Sequence, residues 1–223
     1  MHRKIMTKIK REFFSTDQEL FISLVFALFC LFSVFIFPAQ NSAQAITKSL
    51  FFLLLLPIAY IKIILREDLA YFGWNLKNQN LALRWGIGIC LCILVLFYLL
   101  TMFTQFKTGY ILNDSLKNNF WLFSAYELVL VNLSIFIFSF FFQGFILLLF
   151  DKKIAHWSIA IQAAIFFATL IITKNISWQN LPLIILSITG GFLTYKTKSF
   201  FYSYFMSFFV IIILDTFIIY LTK

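Results

Sequence analysis

The run FWLFSAYELVLVNLSIFIFSFFFQGFILLLF, Phe120–Phe150, carries one acid, Glu127, and no basic residue. Coiled as an α-helix it is about 45 Å long at 1.5 Å per residue, more than the ~30 Å hydrocarbon layer of a bilayer. A sparse set of polar residues interrupts the run, Asn132, Ser139 and Gln143 among them. These three are spaced by seven and four, which at 100° per residue brings them to within about 40° of one another. An unpaired polar group costs several kcal/mol in hydrocarbon, so this seam is expected to point at other helices.

Composition extends the reading to the whole chain. Of 223 residues, 62% are hydrophobic and 12% charged, against about 25% charged in a typical soluble domain. There are 32 Phe but only 7 Gly and 3 Pro, so the apolar content falls in long unbroken stretches. An all-α polytopic membrane protein is the expected fold class, with one bundle over 20–223 and a cytoplasmic basic segment over 1–19. The net charge of +9 does not imply nucleic acid, because the basic residues stand at the ends of apolar segments, where they orient membrane proteins.

Around the central run the other spans fall into place. Met1, Ile5, Ile9 and Phe13 alternate with Arg3, Lys4, Lys8, Lys10 and Arg11 in a weak amphipathic helix suited to an anionic membrane surface. Thr16 and Glu19 have the spacing of a capping box. The first apolar run, 20–37, is long for a signal peptide, although Ala43-Gln44-Ala45 has the small-x-small form of a cleavage site. It is read as a retained span. Further runs lie at 48–65 (with Pro57 inside), 85–103, 156–173, 181–195 and 200–221, which makes seven spans in all. The stretch 66–84 mixes charge with Tyr71, Phe72 and Trp74 and reads as interfacial. With the N-terminus inside, 13 of the 18 basic residues fall on the cytoplasmic side. Lys48, Lys107, Lys117, Lys174 and Lys223 fall on the other. That asymmetry predicts a cytoplasmic N-terminus and an external C-terminus in the cell membrane.

Chemistry-bearing residues are sparse. The two histidines, His2 and His156, share no helical face with other ligand types, and a zinc site needs three or four ligands. No glycine-rich phosphate loop is present, and Gly190-Gly191 reads as a close helix contact. Cys30, Cys90 and Cys92 read as small apolar side chains. No cofactor is expected. Two carboxylates do lie inside spans, Glu127 and Asp215, each about seven residues from the same end of the bundle. Intramembrane carboxylates are candidates for a functional site.

Several stretches resemble the CPBP (CAAX protease and bacteriocin-processing, or Abi) family of intramembrane proteases over roughly residues 60–215. The segment REDLAYFGWNLKNQN is similar to the Arg-Glu-Asp…Phe-Gly stretch that precedes the family's core helices. FSFFFQGFILLLF has the shape of the Glu-Glu-x-x-Phe-Arg-Gly motif. Phe142 and Gly144 match it, but Phe138 and Ser139 stand for the two glutamates and Gln143 for the arginine. AAIFFATLIIT resembles the Phe-x-x-x-His helix, with Phe166 matching and Leu170 in place of histidine. In the last helix Ser207 and Ile211 occupy the places of the His-x-x-x-Asn motif.

The resemblance implies the family's helical frame without its chemistry. Phe, Ser, Leu and Ile neither accept a proton near neutral pH nor stabilise a developing charge as Glu and His do. The expected function is therefore non-catalytic, that of a structural or regulatory partner of other membrane proteins in a complex. An active peptidase with a divergent site built on Glu127 or Asp215, and a small transporter or channel subunit, are the alternatives. Ser139, Gln143 and Ser207 are expected to form a small neutral hydrogen-bonded cluster, with Asn132 on the same seam.

Overall fold

The structure is a computed structural model that describes residues 16–110, 113–174 and 177–222. The amphipathic segment ending at Phe13 and the terminal Lys223 lie outside the described residues, as does the side chain of Thr16 in the expected capping box. Among the described residues all regular structure is helical. Seven long helices account for most of it: α1 (Thr16–Ile36), α2 (Ser42–Leu65), α3 (Gln79–Phe103), α4 (Phe120–Ile154), α5 (Trp157–Ile172), α6 (Leu181–Thr197) and α7 (Phe200–Thr222).

Five of the seven (α1, α2, α3, α4 and α7) are long and apolar enough to cross a membrane. Helices α5 and α6 have 16 and 17 residues. They rise only about 24–26 Å, short of the ~30 Å hydrocarbon layer. Helix α1 begins at Thr16, where the capping-box spacing put a helix start. Two other helices begin ahead of their apolar runs: α2 at Ser42 rather than at 48, and α3 at Gln79 rather than at 85, so Arg84 lies within a helix. The onset of hydrophobicity marks where a helix meets apolar surroundings, which need not be where its backbone starts to coil.

Helix α4 is the axis of the bundle. In its most apolar window 78% of the residues are buried, against 17–39% in the other four long apolar helices. Every residue from Ser139 to Phe150 is buried. Helices α1, α2, α5, α6 and α7 all touch it, and α3 packs on the far side of α6 and α7. One core cluster joins α1, α2 and α5 to α4 through Cys30, Ile61, Phe141, Phe145 and Phe166. A second joins α3, α6 and α7 through Phe97, Leu186, Leu193 and Val210. Phe142, Gly144 and Phe166 are core residues. Phe166 meets Phe142 edge-on at 5.3 Å, and Gly144 leaves room for the Phe72 carbonyl oxygen, which would stand 3.0 Å from a Cβ there.

Four stretches of α2 and α4 coil as π-helix, at Phe51–Leu55, Tyr60–Leu65, Tyr126–Val131 and Ser139–Ile146. Their turns close through bonds five residues back, such as Leu147 N–H to the Phe142 carbonyl. Pro57 sits between the two π-helical stretches of α2, where the missing N–H is accommodated by the altered pattern. Wider turns of this kind recur at functional sites, and on α4 they hold Glu127, Ser139 and Gln143.

One end of the bundle is sealed by the connection between α2 and α3. Phe72 is fully buried, and Trp74 stands edge-on to Phe136, Phe140, Phe200 and Phe201 at 5.6–6.0 Å. Asn75 Nδ2 donates to the carbonyls of Ala70 and Lys198, both at 2.9 Å. Tyr202 donates to the Leu76 carbonyl at 2.7 Å, and Ser199 to that of Asn75. Gly73 is required where it stands. Its φ is +81°, and a Cβ there would lie 2.9 Å from the Phe200 nitrogen. Ion pairs Lys152–Glu67 and Lys198–Asp151, both 2.7 Å, ring the same end.

Candidate functional site

The opposite half of the bundle holds a cavity of about 420 Å³. Its wall draws on α4, α6 and α7 and on the first turns of α2, and exposed residues, Ser42 at the start of α2 and Gln179 before α6 among them, stand at its edge. The size is that of a small-molecule site. Apolar residues dominate the middle (Ile135, Phe138, Leu186, Ile211), and polar groups gather at two levels.

The first level is built around Asp215 on α7. Its Oδ1 accepts a hydrogen bond of 2.5 Å from the Tyr110 hydroxyl. Tyr110 is positioned from outside the long helices. The segment before it is a short helical turn, Phe106–Gly109, wedged against Trp178, whose Cδ1 would lie 2.5 Å from a Cβ on Gly109. Burial, and then the adjoining carboxylate, push the Tyr110 hydroxyl well above the usual phenol range. It therefore stays protonated and acts as donor. Glu127, on the first π-helical stretch of α4, brings its carboxyl beside that of Asp215. Glu127 and Asp215 are 1% and 3% exposed, and neither Glu127 oxygen has a hydrogen-bond partner. No basic side chain among the described residues pairs with either acid. Two acids with one donor between them are thus held in apolar surroundings.

The second level lies deeper. Ser139 and Gln143 from α4, Ser187 from α6 and Ser207 from α7 all reach the cavity wall. Gln143 fits because Gly190 lies opposite, and any side chain there would collide with its amide. Gln143 Nε2 donates at 3.4 Å to the Leu186 carbonyl, a carbonyl already inside a helix, while its Oε1 is buried without a partner. The neighbouring Gly191 makes the same room for Gln162 of α5, whose Nε2 donates to Ser187 Oγ at 2.8 Å. The glycine pair, read from sequence as a close helix contact, thus admits two glutamine side chains against the α6 backbone.

Of the polar seam expected from sequence, Ser139, Gln143 and Ser207 line one cavity, but no hydrogen bond joins them among the described residues. Asn132 is not on the wall. Its Oδ1 accepts from the Tyr204 hydroxyl and its Nδ2 donates to the Leu128 carbonyl, so both ends of the amide are engaged away from the cavity. Leu170 is likewise off the wall, in the core beside α4. Residues that the sequence reading did not single out are Tyr110, Tyr126, Gln162 and Ser187. Gln162 and Ser187 had a legible signal, a polar residue in an otherwise apolar helix. Tyr110 had none, because a connecting segment discloses no facing partner.

His156 is exposed at the start of α5 with its ring 5.7 Å from that of Trp157. No group of three or more His, Cys, Asp or Glu among the described residues is placed to hold a metal ion. No protein-family model matches the chain, and no curated protein or solved structure matches it either. The site is therefore argued from its own geometry.

Proposed function

We propose that this chain is an integral membrane protein of the CPBP-like helical frame that binds through its central cavity and does not hydrolyse. The observation that carries this reading is which residues meet on the wall. Of the six positions where the resemblance puts the family's site residues, Phe138, Ser139, Gln143, Ser207 and Ile211 line this cavity and Leu170 does not. None of the five can deprotonate water or hold a catalytic ion. Exposed apolar side chains such as Phe21, Phe29, Phe32, Leu91 and Phe103 support insertion in lipid and leave helix faces for partner proteins in a complex.

The orientation follows the basic residues. The connection 66–78, the last turn of α4 at Asp151 and Lys152, and the turn at Lys198 are tied together at the sealed end. Lys62, Arg66, Lys77, Arg84, Lys152, Lys153, Lys196 and Lys198 belong to that end, which the positive-inside rule assigns to the cytoplasm. The cavity then opens toward the outer side. A reporter fused after Lys77 should read as cytoplasmic and one after Lys107 as external, and the reverse pattern would remove this orientation.

One observation favours a second reading, hydrolysis by a carboxyl pair. Glu127 and Asp215 adjoin in a buried setting, and Asp215 lines the cavity. Incubation of the purified protein with a library of labelled membrane-anchored peptides separates the two. Binding without new termini is the expected result. Cleavage that disappears in Asp215→Asn would replace the first reading by the second.

A further inference from the structure

We infer that the cavity binds an alkylammonium ligand with a hydrogen-bond donor at its far end. The inference rests on the non-hydrolytic binding role proposed above and names the ligand's chemistry. At the outer level Asp215 lines the cavity, and Glu127, equally buried, is not on its wall; among the described residues Asp215 receives one side-chain donor, the Tyr110 hydroxyl. A buried carboxylate on the cavity wall with a second acid close behind it and no paired base needs either a proton or a cation beside it. The titratable groups around them are phenols, Tyr110 and Tyr126, whose ring faces attract an ammonium.

The inner level supplies an independent observation. Gln143 Oε1 is a buried acceptor on the cavity wall with nothing donating to it. An occupant with an amide or hydroxyl donor would meet it. The levels can be placed on one scale. Thr194 of α6 pairs with Ser203 of α7 at 2.7 Å. One turn further along this antiparallel pair, Gly190 and the Gln143 amide resting on it come level with Ser207. Ser207 and Asp215 are eight residues apart on α7, an axial distance of about 12 Å. Ile135, Phe138, Leu186 and Ile211 cover the space between. The complementary molecule is an extended amine of about that length, apolar in its middle.

The probe 8-aminooctanamide has this form. Octanamide lacks the ammonium and octylammonium lacks the amide. Each is titrated calorimetrically into the full chain in lipid nanodiscs, with empty nanodiscs subtracted for partitioning. The expected result is saturable one-site binding of 8-aminooctanamide, at least tenfold tighter than octanamide. Asp215→Asn should abolish that preference. Gln143→Leu should weaken 8-aminooctanamide about fivefold and leave octylammonium unchanged. If a variant does not fold, the comparison of the three probes on the unaltered protein still decides. Equal binding of octanamide and 8-aminooctanamide overturns the inference while leaving a non-hydrolytic apolar pocket. Binding of no probe also overturns it, the carboxyl pair then holding a shared proton only. Release of 8-aminooctanoate from bound 8-aminooctanamide would instead overturn the non-hydrolytic reading, with the ammonium preference standing.

Discussion

Phe72→Ala is expected to lower stability by about 3–5 kcal/mol, the range for removing a fully buried aromatic ring. Phe72 belongs to a thirteen-residue connection (66–78) with only a four-residue 3₁₀ turn, Leu69–Phe72, yet its side chain has no exposed surface. Its ring lies 5.9 Å from that of Phe145, with the Lys152 ammonium 5.2 Å from its centroid. Deletion would open a void next to α4, and the walls cannot close it. Gly144 already brings helix backbone against the Phe72 carbonyl, and Gly73 fixes the turn beside Phe200. The check is a detergent unfolding titration in which Tyr71→Ala serves as control, since Tyr71 is 65% exposed. The control should stay within about 0.5 kcal/mol of the parent. A Phe72→Ala shift below about 1 kcal/mol would show that this connection does not seal the bundle.

That connection also measures how far the sequence was legible. Its aromatic residues read as interfacial, and of these Tyr71 is exposed. Phe72 and Trp74 carry the same hydropathy and go inward, because alternate residues of a tight turn point to opposite sides and periodicity cannot say which side is the core. The central helix was legible for a simpler reason. A run from 120 to 150 whose one charge is Glu127 is long and apolar enough to cross a bilayer, although nothing in it announced that it would be the most enclosed helix. Where its polar residues point was only partly legible. The 100° rule assumes α-helical turns, and α4 changes to π-helical turns at Tyr126 and again at Ser139. No residue pattern announces those changes. Asn132 missed the cavity for another reason, since Tyr204 captures its amide from a helix 72 positions away in sequence. The adjacency of Glu127 and Asp215 was suggested by equal depth alone, and depth leaves the angle around the bundle open. Tyr110, which completes their setting, belongs to a segment where depth means nothing.

The second large effect is expected at Gly191. Gly191→Leu should cost about 3 kcal/mol or more, at or above the upper end of the overpacking range. At this position three helices converge. A Cβ on Gly191 would stand 2.7 Å from Gln162 Oε1 on α5, 3.4 Å from Leu147 Cδ1 on α4 and 3.5 Å from Ile159 Cγ2 on α5. The first contact is with a side chain that can move, but moving it breaks the Gln162–Ser187 hydrogen bond and strands a buried amide. The other two are with packed core atoms that have nowhere to go. The contributions separate in a double-mutant cycle. Gly191→Ala adds only the Cβ, so its cost should arise chiefly from Gln162 and should shrink in a Gln162→Ala background, giving a favourable interaction energy of about 1 kcal/mol. Gly191→Leu should remain costly in that background, because its branched end meets α4 whatever stands at Gln162. Unfolding titrations of the parent, Gln162→Ala and both Gly191 variants in each background decide the matter. If Gly191→Leu falls within about 1 kcal/mol of the parent, α6 does not approach α4 and α5 this closely. The glycine pair would then not be what admits Gln143 and Gln162 to the bundle interior.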